Sequence, residues 1–286
     1  MKSLRGFLLF SLPAFLLLST LVLIPVLGTV YLSLFRDVPF LGREFTGADN
    51  YLRLLSDSHF HRSLLFTLKF TLLSVPVEVV LGLGVALLVN ERIPFRGLLR
   101  GAVLLPWAVP AVVSARVWQL MFNYSYGVLN YLSDEFLGFR INWLGTELNA
   151  LLSLVVADAW RTTPFVAVIL LAGLQSIPED LYSQAKVDGA GTLRRFLYIT
   201  LPLLKPFILV AILFRGVDAL RVFDLAFVLT GGGPGGSTTP LSLYAYRFYL
   251  TGDFGYGSAV SVLIFLLSLS LAVLIARVLR PAEALR

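Results

Sequence analysis

Residues 256–276 have the sequence YGSAVSVLIFLLSLSLAVLIA, a stretch without a charged side chain. A helix needs about 20 predominantly apolar residues to cross a bilayer, so this stretch is long enough to span one. Comparable apolar stretches occupy five other parts of the chain, and none shows the short alternating pattern of a β-barrel strand. The sequence therefore predicts an all-α polytopic membrane protein, one transmembrane domain over residues 1–286 with six transmembrane helices at about 7–35, 63–89, 98–122, 148–175, 203–229 and 256–276.

The composition separates this chain from soluble proteins. Hydrophobic residues make up 57% of the 286 residues, charged residues make up 14%, and the mean hydropathy is +0.84. A soluble domain carries about 25% charged residues, so a soluble enzyme and a disordered chain are both excluded. The chain has no cysteine, which excludes a disulfide-built secreted domain. The net charge of +6 does not indicate nucleic-acid binding, because most basic residues stand at the ends of apolar stretches.

The distribution of Lys and Arg predicts the orientation of the chain. Six spans place both termini on the same side of the membrane. That side carries 12 basic residues and the opposite loops carry 6. Lys and Arg are enriched on the cytoplasmic side, so both termini are predicted to be cytoplasmic. The inner set is Lys2, Arg5, Arg92, Arg96, Arg100, Lys186, Arg194, Arg195, Lys205, Arg277, Arg280 and Arg286, and the outer set is Arg36, Arg43, Arg53, Arg62, Arg140 and Arg247.

The longest predicted cytoplasmic segment, residues 176–202, contains a short amphipathic helix. Ser176 and Glu179 have the spacing of a capping box, which predicts that the helix begins there. It is predicted to end before Gly189, because glycine is favoured where φ turns positive. Thr192–Tyr198 is predicted to form a second short helix. The first helix either lies on the membrane surface or docks in a partner's groove, and its residues alone favour neither arrangement.

Three stretches resemble a known family. The sequence LYSQAKVDGAG at residues 181–191 precedes four further matching positions, Phe196, Ile199, Leu201 and Pro202. This pattern resembles the signature loop of binding-protein-dependent ABC importer permeases, in which E-A-A is followed by G and then by I-x-L-P. The sequences WRTTP at residues 160–164 and LTGGGP at residues 229–234 are similar to the carbohydrate-uptake branch, the maltose and glycerol-3-phosphate type. Within that branch the chain resembles the first of the two permease subunits.

The resemblance implies a transport subunit, not an enzyme. Its role would be to translocate a di- or oligosaccharide or a polyol across the cytoplasmic (inner) membrane of a prokaryote. The implied partners are a second permease subunit forming a heterodimer, two ATPase subunits and an extracytoplasmic substrate-binding protein. The sequence contains no G-x-x-x-x-G-K-[ST] motif, so ATP hydrolysis is assigned to the ATPase subunits. No cofactor is expected in this chain, and ATP and Mg would be bound by those partners.

The predicted cytoplasmic helix is then a coupling helix that contacts an ATPase subunit. Leu181, Tyr182 and Ala185 share one face of the helix, which would supply apolar contacts. Ser183 and Gln184 stand where the family has Glu and Ala, so the family's charged contact is absent or moved. The residues expected to couple are Glu179, Leu181, Tyr182, Ser183, Ala185, Asp188 and Gly189.

Ionisable residues inside the predicted spans indicate a functional site, because charges in lipid are costly. Asp158 and Arg161, like Arg215 and Asp218, are separated by three positions on one helix. Two explanations stay open: the charges neutralise one another, or they line a hydrophilic substrate site in which aromatic rings stack on a sugar. The resemblance places the substrate pocket near mid-membrane on spans 4 and 5. The implied substrate-binding residues are Asp158, Trp160, Arg161, Thr162, Phe165, Arg215 and Asp218.

Other functions remain open at this point. A proton-coupled secondary transporter would use Asp158 or Glu78 as its relay. A permease for a sugar phosphate such as glycerol-3-phosphate would use Arg161 and Arg215 for the anionic group. An intramembrane enzyme lacks its motifs, and the neighbouring His59 and His61 are a weak metal signal, so no metal site is predicted.

Overall fold

The computed structural model describes residues 11–39, 42–91 and 94–283. Most of these residues are helical. In chain order the elements are α1 (Ser11–Leu32), β1 (Phe35–Val38), β2 (Gly42–Phe45), α2 (Asp49–Ser56), α3 (Ser58–Asn90), α4 (Arg96–Ala108), α5 (Ala111–Met121), α6 (Val128–Leu137), α7 (Glu147–Gln175), α8 (Glu179–Val187), α9 (Thr192–Leu220), α10 (Asp224–Leu229), α11 (Leu241–Thr251) and α12 (Phe254–Glu283).

The all-α, polytopic prediction is confirmed. Within the described residues, five helices are long and apolar enough to cross a membrane: α1, α3, α7, α9 and α12. A sixth crossing is obtained when α4 and α5 are taken together as one span. The only strand pair in this part of the chain is the antiparallel hairpin β1–β2, which lies in a predicted outer loop and pairs Phe35 with Phe45.

The third predicted span, Leu98–Phe122, is not one continuous helix. Its two halves, α4 and α5, meet at an angle of 89°. Val109 stands between them in an extended conformation, with φ −72° and ψ 130°. A residue that precedes proline is driven out of the α region by the proline ring, and Pro110 follows Val109. The local sequence, Val109 followed by Pro110, therefore accounts for the bend.

The described residues form two compact units. One comprises the chain up to His61 together with Leu241–Leu266, and the other comprises Arg62–Pro240 with the described residues from Leu267 onward. The sequence-based assignment of one domain to residues 1–286 stays a prediction.

In the second unit α7 is the central helix and lies against α4, α5, α9 and α10. Thr146 caps its beginning, where the hydroxyl accepts a hydrogen bond from the backbone N–H of Asn149 at 3.3 Å. Small residues let the neighbouring helices approach. A Cβ on Gly82 of α3 would lie 2.6 Å from Val166 of α7, and one on Gly173 of α7 would lie 2.6 Å from Leu204 of α9. This close packing brings α3, α7 and α9 together.

The segment that follows α7 differs from the prediction at its start. Ser176 does not cap α8, because it still has helical φ and ψ and its hydroxyl donates back to the carbonyl of Gly173 at 2.7 Å. The predicted capping box is therefore wrong, since an N-cap residue must leave the helical conformation. Pro178 occupies the N-cap position of α8 instead.

The end of α8 agrees with the prediction. Gly189 has φ +79°. The N–H of Gly189 donates to the carbonyl of Lys186 at 3.1 Å, and the N–H of Ala190 donates to that of Ala185 at 2.8 Å. These two bonds form a Schellman motif, which requires a left-handed residue at the Gly189 position.

The predicted second short helix, Thr192–Tyr198, does not end at Tyr198. It continues into the fifth span as one helix, α9, through a wide π-type turn at Phe196–Thr200. The helix is not interrupted at this turn and continues directly into Leu201–Leu220.

Candidate substrate site and coupling segment

Three helices of the second unit are joined by a buried ion cluster centred on Arg215 of α9. Its guanidinium donates to Glu78 of α3 through Nε (2.6 Å) and Nη2 (3.0 Å), and to Asp158 of α7 through Nη2 (2.9 Å). Exposure is 0% for Glu78 and 3% for both Asp158 and Arg215. Buried charges of this kind are tolerated only when they are paired and hydrogen-bonded.

A looser rim surrounds this cluster. Asp158 and Asp218 each offer one carboxylate oxygen to Arg215 and the other to an outer arginine. Asp218 accepts from Arg215 at 2.5 Å and from Arg221 at 3.4 Å, while Asp158 lies 4.0 Å from Arg161. The side chains of Arg161 and Arg221 are 22% and 65% exposed. Both outer arginines are therefore held weakly and keep donors for another ligand.

Two cavities open beside this rim. The larger, of about 360 Å³, is lined by Asp158, Arg161, Arg215, Asp218 and Arg221 together with residues that include Ala111, Phe223 and Asp224. The smaller, of about 210 Å³, shares several of these charges and adds the aromatic side chains Trp107, Phe165 and Phe214. The larger is within the 300–1,000 Å³ range of small-molecule sites.

Aromatic rings form one wall of the smaller cavity. The ring of Phe165 stacks on Trp107 with centroids 5.8 Å apart and meets Phe214 edge-on at 6.1 Å. Guanidinium and carboxylate groups beside an aromatic wall match the two faces of a sugar, since its hydroxyls both donate and accept while its C–H face is apolar. The arrangement suits a polyhydroxylated ligand.

Most predicted substrate residues meet at this place. Asp158, Arg161, Arg215 and Asp218 line both or one of the cavities, and Thr162 and Phe165 line the smaller one. The hydroxyl of Thr162 already donates to the carbonyl of Asp158 at 2.7 Å, which directs it along its own helix. Trp160 lines neither of these two cavities, and its ring packs edge-on against Trp118 at 6.0 Å, so its role in substrate binding stays a prediction.

Two participants were not among the predicted site residues. Glu78 accepts two hydrogen bonds from Arg215, although the sequence separates them by 137 positions. The sequence feature that could have pointed to Glu78 is the presence of a carboxylate inside the apolar stretch 63–89. Arg221 lies three positions after Asp218, just beyond the end of α9 at Leu220, and its side chain is exposed at the rim.

The predicted coupling residues lie on or directly behind α8. Leu181 is 38% exposed, and Glu179, Ser183, Asp188 and Gly189 are exposed too. Tyr182 and Ala185 are half-buried, so the three apolar residues do not form one uniformly free face. The Tyr182 hydroxyl lies 3.0 Å from that of Thr200 on α9. Ser183, which replaces the family's Glu, donates to the carbonyl of Glu179 at 3.2 Å.

No group of three or more His, Cys, Asp or Glu residues suited to a metal ion occurs in the ranges that the structure describes. His61, at the start of α3, bonds the carbonyl of Asp57 through Nδ1 at 2.8 Å, and the backbone N–H of His59 donates to the Asp57 carboxylate at 2.8 Å. The His61 ring and the His59 backbone thus take part in local structure around Asp57.

Comparisons with known proteins agree with this architecture. Residues 78–282 match the family described as binding-protein-dependent transport system inner membrane component. The chain is similar to the trehalose/maltose transport system permease protein MalF of Thermococcus litoralis, with 50% identity over 94% of this chain and 92% of that protein. It is also similar to the sulfoquinovosyl glycerol transport system permease protein SmoG of Agrobacterium fabrum, with 40% identity over 95% and 89%.

A solved structure shares the fold. The crystal structure of a bacterial alginate ABC transporter in complex with its alginate pentasaccharide-bound periplasmic protein contains a chain with a TM-score of 0.82 to this one. The two are 24% identical, over 95% of this chain and 93% of that chain.

Proposed function

We propose, since this chain belongs to the family of binding-protein-dependent transport system inner membrane components, that it is the first permease subunit of an ATP-driven importer for a carbohydrate. Relatives named for trehalose/maltose and for sulfoquinovosyl glycerol support the cargo class. The observation that carries the proposal is the rim of loosely held charges, which faces two cavities beside an aromatic wall. Family membership removes the reason to invoke a proton-coupled secondary transporter.

The assembly proposed for it follows the family pattern. This chain would pair with a second permease subunit, two ATPase subunits and an extracytoplasmic binding protein, in the cytoplasmic membrane of a prokaryote. The Lys and Arg distribution supports cytoplasmic termini and a cytoplasmic α8. ATP and Mg would be held by the ATPase subunits, and α8 would contact one of them. ATP-driven movement of α8 would then open the cavities alternately to the two sides.

We propose a neutral sugar as the cargo. The charged residues that line the larger cavity are three arginines and three aspartates (Arg161, Arg215, Arg221, Asp158, Asp218 and Asp224), so the formal charges of its lining cancel. A neutral polyol or oligosaccharide can exchange hydrogen bonds with the rim without adding a charge in low dielectric. An anionic sugar is the second candidate, favoured by the weak hold on Arg161 and Arg221 and by the relative named for a sulfonated glycoside.

Transport by the reconstituted complex tests the site. Arg161→Ala and Arg221→Ala each remove a rim donor and are expected to raise the KM for uptake about tenfold, because hydrogen bonds to a charged group contribute about 1.5–3 kcal/mol. Arg140→Ala is the matched control, since Arg140 is equally an arginine paired with an aspartate, Asp134, at 3.0 Å outside the cavities. If both rim variants keep the wild-type KM, the rim arginines do not bind the substrate. Competition by a neutral disaccharide and by a sugar phosphate decides between the two cargo classes.

Coupling is tested at Gly189. Gly189→Val forces a β-branched residue into φ +79°, although its Cβ would meet no atom within 4 Å, so the effect is conformational strain alone. We expect reduced retention of the ATPase subunits on the purified permease. Gly191→Val is the control, because Gly191 is equally open but has φ −65°. Equal retention in the two variants would show that the turn behind α8 does not position an ATPase contact.

A further inference from the structure

The hydroxyl of Tyr182 connects α8 to α9. Its Oη lies 3.0 Å from Oγ1 of Thr200, 18 positions further along the chain. Thr200 is 5% exposed, and Tyr182 is half-buried. On the same helix Leu181 and Val187 are 38% and 89% exposed. The helix therefore presents these apolar residues outward while the Tyr182 hydroxyl bonds inside its own chain.

Thr200 occupies a distinctive place on α9. It is the last residue of the wide turn Phe196–Thr200, and such π-type turns inside helices frequently occur at functional sites. Helix α9 then continues through Arg215, which lies 15 residues beyond Thr200, about 22 Å at 1.5 Å per residue. A displacement applied at Thr200 thus acts on the same helix that carries Arg215 and Asp218.

We propose that Tyr182 is a positioning residue that transmits the movement of α8 to α9 through its hydrogen bond to Thr200. The inference rests on the proposed function, because it takes α8 as the contact for the ATPase. It assigns Tyr182 a role different from that of the exposed residues of α8. Leu181 belongs to the outward surface of α8, whereas the Tyr182 hydroxyl couples α8 to the span that holds the ion cluster.

The prediction is a loss of coupling without a loss of ATPase binding. Tyr182→Phe keeps the ring and removes the hydroxyl, and Thr200→Val removes the other half of the bond at nearly constant volume. Because Tyr182→Phe keeps the ring that would supply apolar contact to the ATPase, each variant is expected to retain the ATPase subunits but to lower sugar transported per ATP about fivefold, the factor that corresponds to one ordinary hydrogen bond. The double variant should lose no more than either single variant, because both remove the same bond.

Two further variants supply the controls. Thr200→Ser keeps a hydroxyl and is expected to restore wild-type coupling. Tyr198→Phe removes a tyrosine hydroxyl from the same segment at a side chain that is 75% exposed, and is expected to behave like wild type. All variants are measured as the complete complex in proteoliposomes with the binding protein present.

The outcomes separate this inference from the proposed function. Unchanged sugar per ATP in Tyr182→Phe and Thr200→Val, or additive losses in the double variant, would overturn the transmission role. Loss of ATPase retention in Tyr182→Phe would also overturn it, since the hydroxyl would then serve the partner. If the wild-type permease retains no ATPase subunit at all, the proposed function itself is wrong.

Discussion

Arg215 and Asp57 are the centres of two polar clusters, one in each compact unit of the chain. Arg215 is almost completely buried and is held by carboxylates. Asp57 is half-buried and is held by neutral donors: its Oδ2 accepts from the hydroxyls of Tyr244 and Tyr256, the latter at 2.7 Å. A fully buried charge needs opposite charges around it, whereas a partly hydrated carboxylate is satisfied by hydroxyl groups.

The protonation of Asp57 reflects these neutral donors. Partial burial acts to raise the pKa of Asp57, but hydrogen bonds from the hydroxyls of Tyr244 and Tyr256 and from the backbone N–H groups of His59 and Phe60 together hold the pKa below its ordinary value. Burial and the Asp57 carboxylate together raise the pKa of Tyr244 well above its ordinary value. Arg53 lies over the ring of Tyr256, 4.8 Å from its centroid. The comparison predicts that removing charge destabilises the Arg215 cluster far more than the Asp57 cluster.

The largest effect is expected from Arg215→Ala. The substitution leaves Glu78 and Asp158 buried without their cation, and breaking a buried ion pair in this way costs about 3–5 kcal/mol. We expect little folded complex after purification, measured by size-exclusion yield and thermal unfolding. Arg221→Ala is the control, because its guanidinium is 65% exposed and pairs with the same Asp218. A wild-type melting temperature for Arg215→Ala would contradict a structural role for the cluster.

Glu78→Gln is expected to have an intermediate effect. It keeps the shape of the side chain and removes one negative charge, while Arg215 retains Asp158 and Asp218. The expected loss is about 1–3 kcal/mol, the cost of weakening a buried hydrogen bond to a charged group.

Glu147→Gln is the matched comparison for Glu78→Gln. Glu147 is 60% exposed and lies 3.4 Å from Lys69, so its loss should cost at most about 1 kcal/mol. Thermal melting of the two variants in detergent measures the difference. Equal melting temperatures would show that burial does not distinguish the two ion pairs.

The smallest effect is expected from Asp57→Asn, and it should depend on pH. A lowered pKa in the folded state means that ionised Asp57 stabilises the protein above the ordinary pKa near 3.9, and that this contribution disappears as pH falls through the folded-state value. The melting temperature of wild type should exceed that of Asp57→Asn at pH 6–7, and the difference should narrow as the pH falls below about 4. A constant difference from pH 7 down to 3 would contradict the role of the carboxylate charge.

The sequence predicted many of the residues that line the candidate site, but not which of them are buried in ion pairs and which face the cavities. The i, i+3 spacing identified two neighbouring pairs, Asp158 with Arg161 on one helix and Arg215 with Asp218 on another. It left two explanations open for these charges, substrate binding or mutual neutralisation. The structure supports mutual neutralisation for Arg215 and substrate binding for Arg161. Arg215 donates hydrogen bonds to Glu78, Asp158 and Asp218. Arg161 lies 4.0 Å from Asp158 and lines the cavities.

The sequence by itself determined the features that depend on neighbours along the chain. Apolar stretches about 20 residues long determine spans, because every backbone polar group in lipid must be satisfied within its own helix. Gly189 determines the left-handed turn behind α8, and Pro110 determines the bend before α5, since both act through local backbone sterics.

Only the tertiary structure decided which distant polar groups meet. Glu78 reaches Arg215 across 137 positions because α3 packs on α7 at Gly82, and α7 packs on α9 at Gly173. The hydroxyls of Tyr182 and Thr200 likewise meet although 18 positions separate them along the chain. Such pairings depend on the rotation and approach of whole helices, which the apolar pattern does not fix because lipid-facing and helix-facing sides are both apolar.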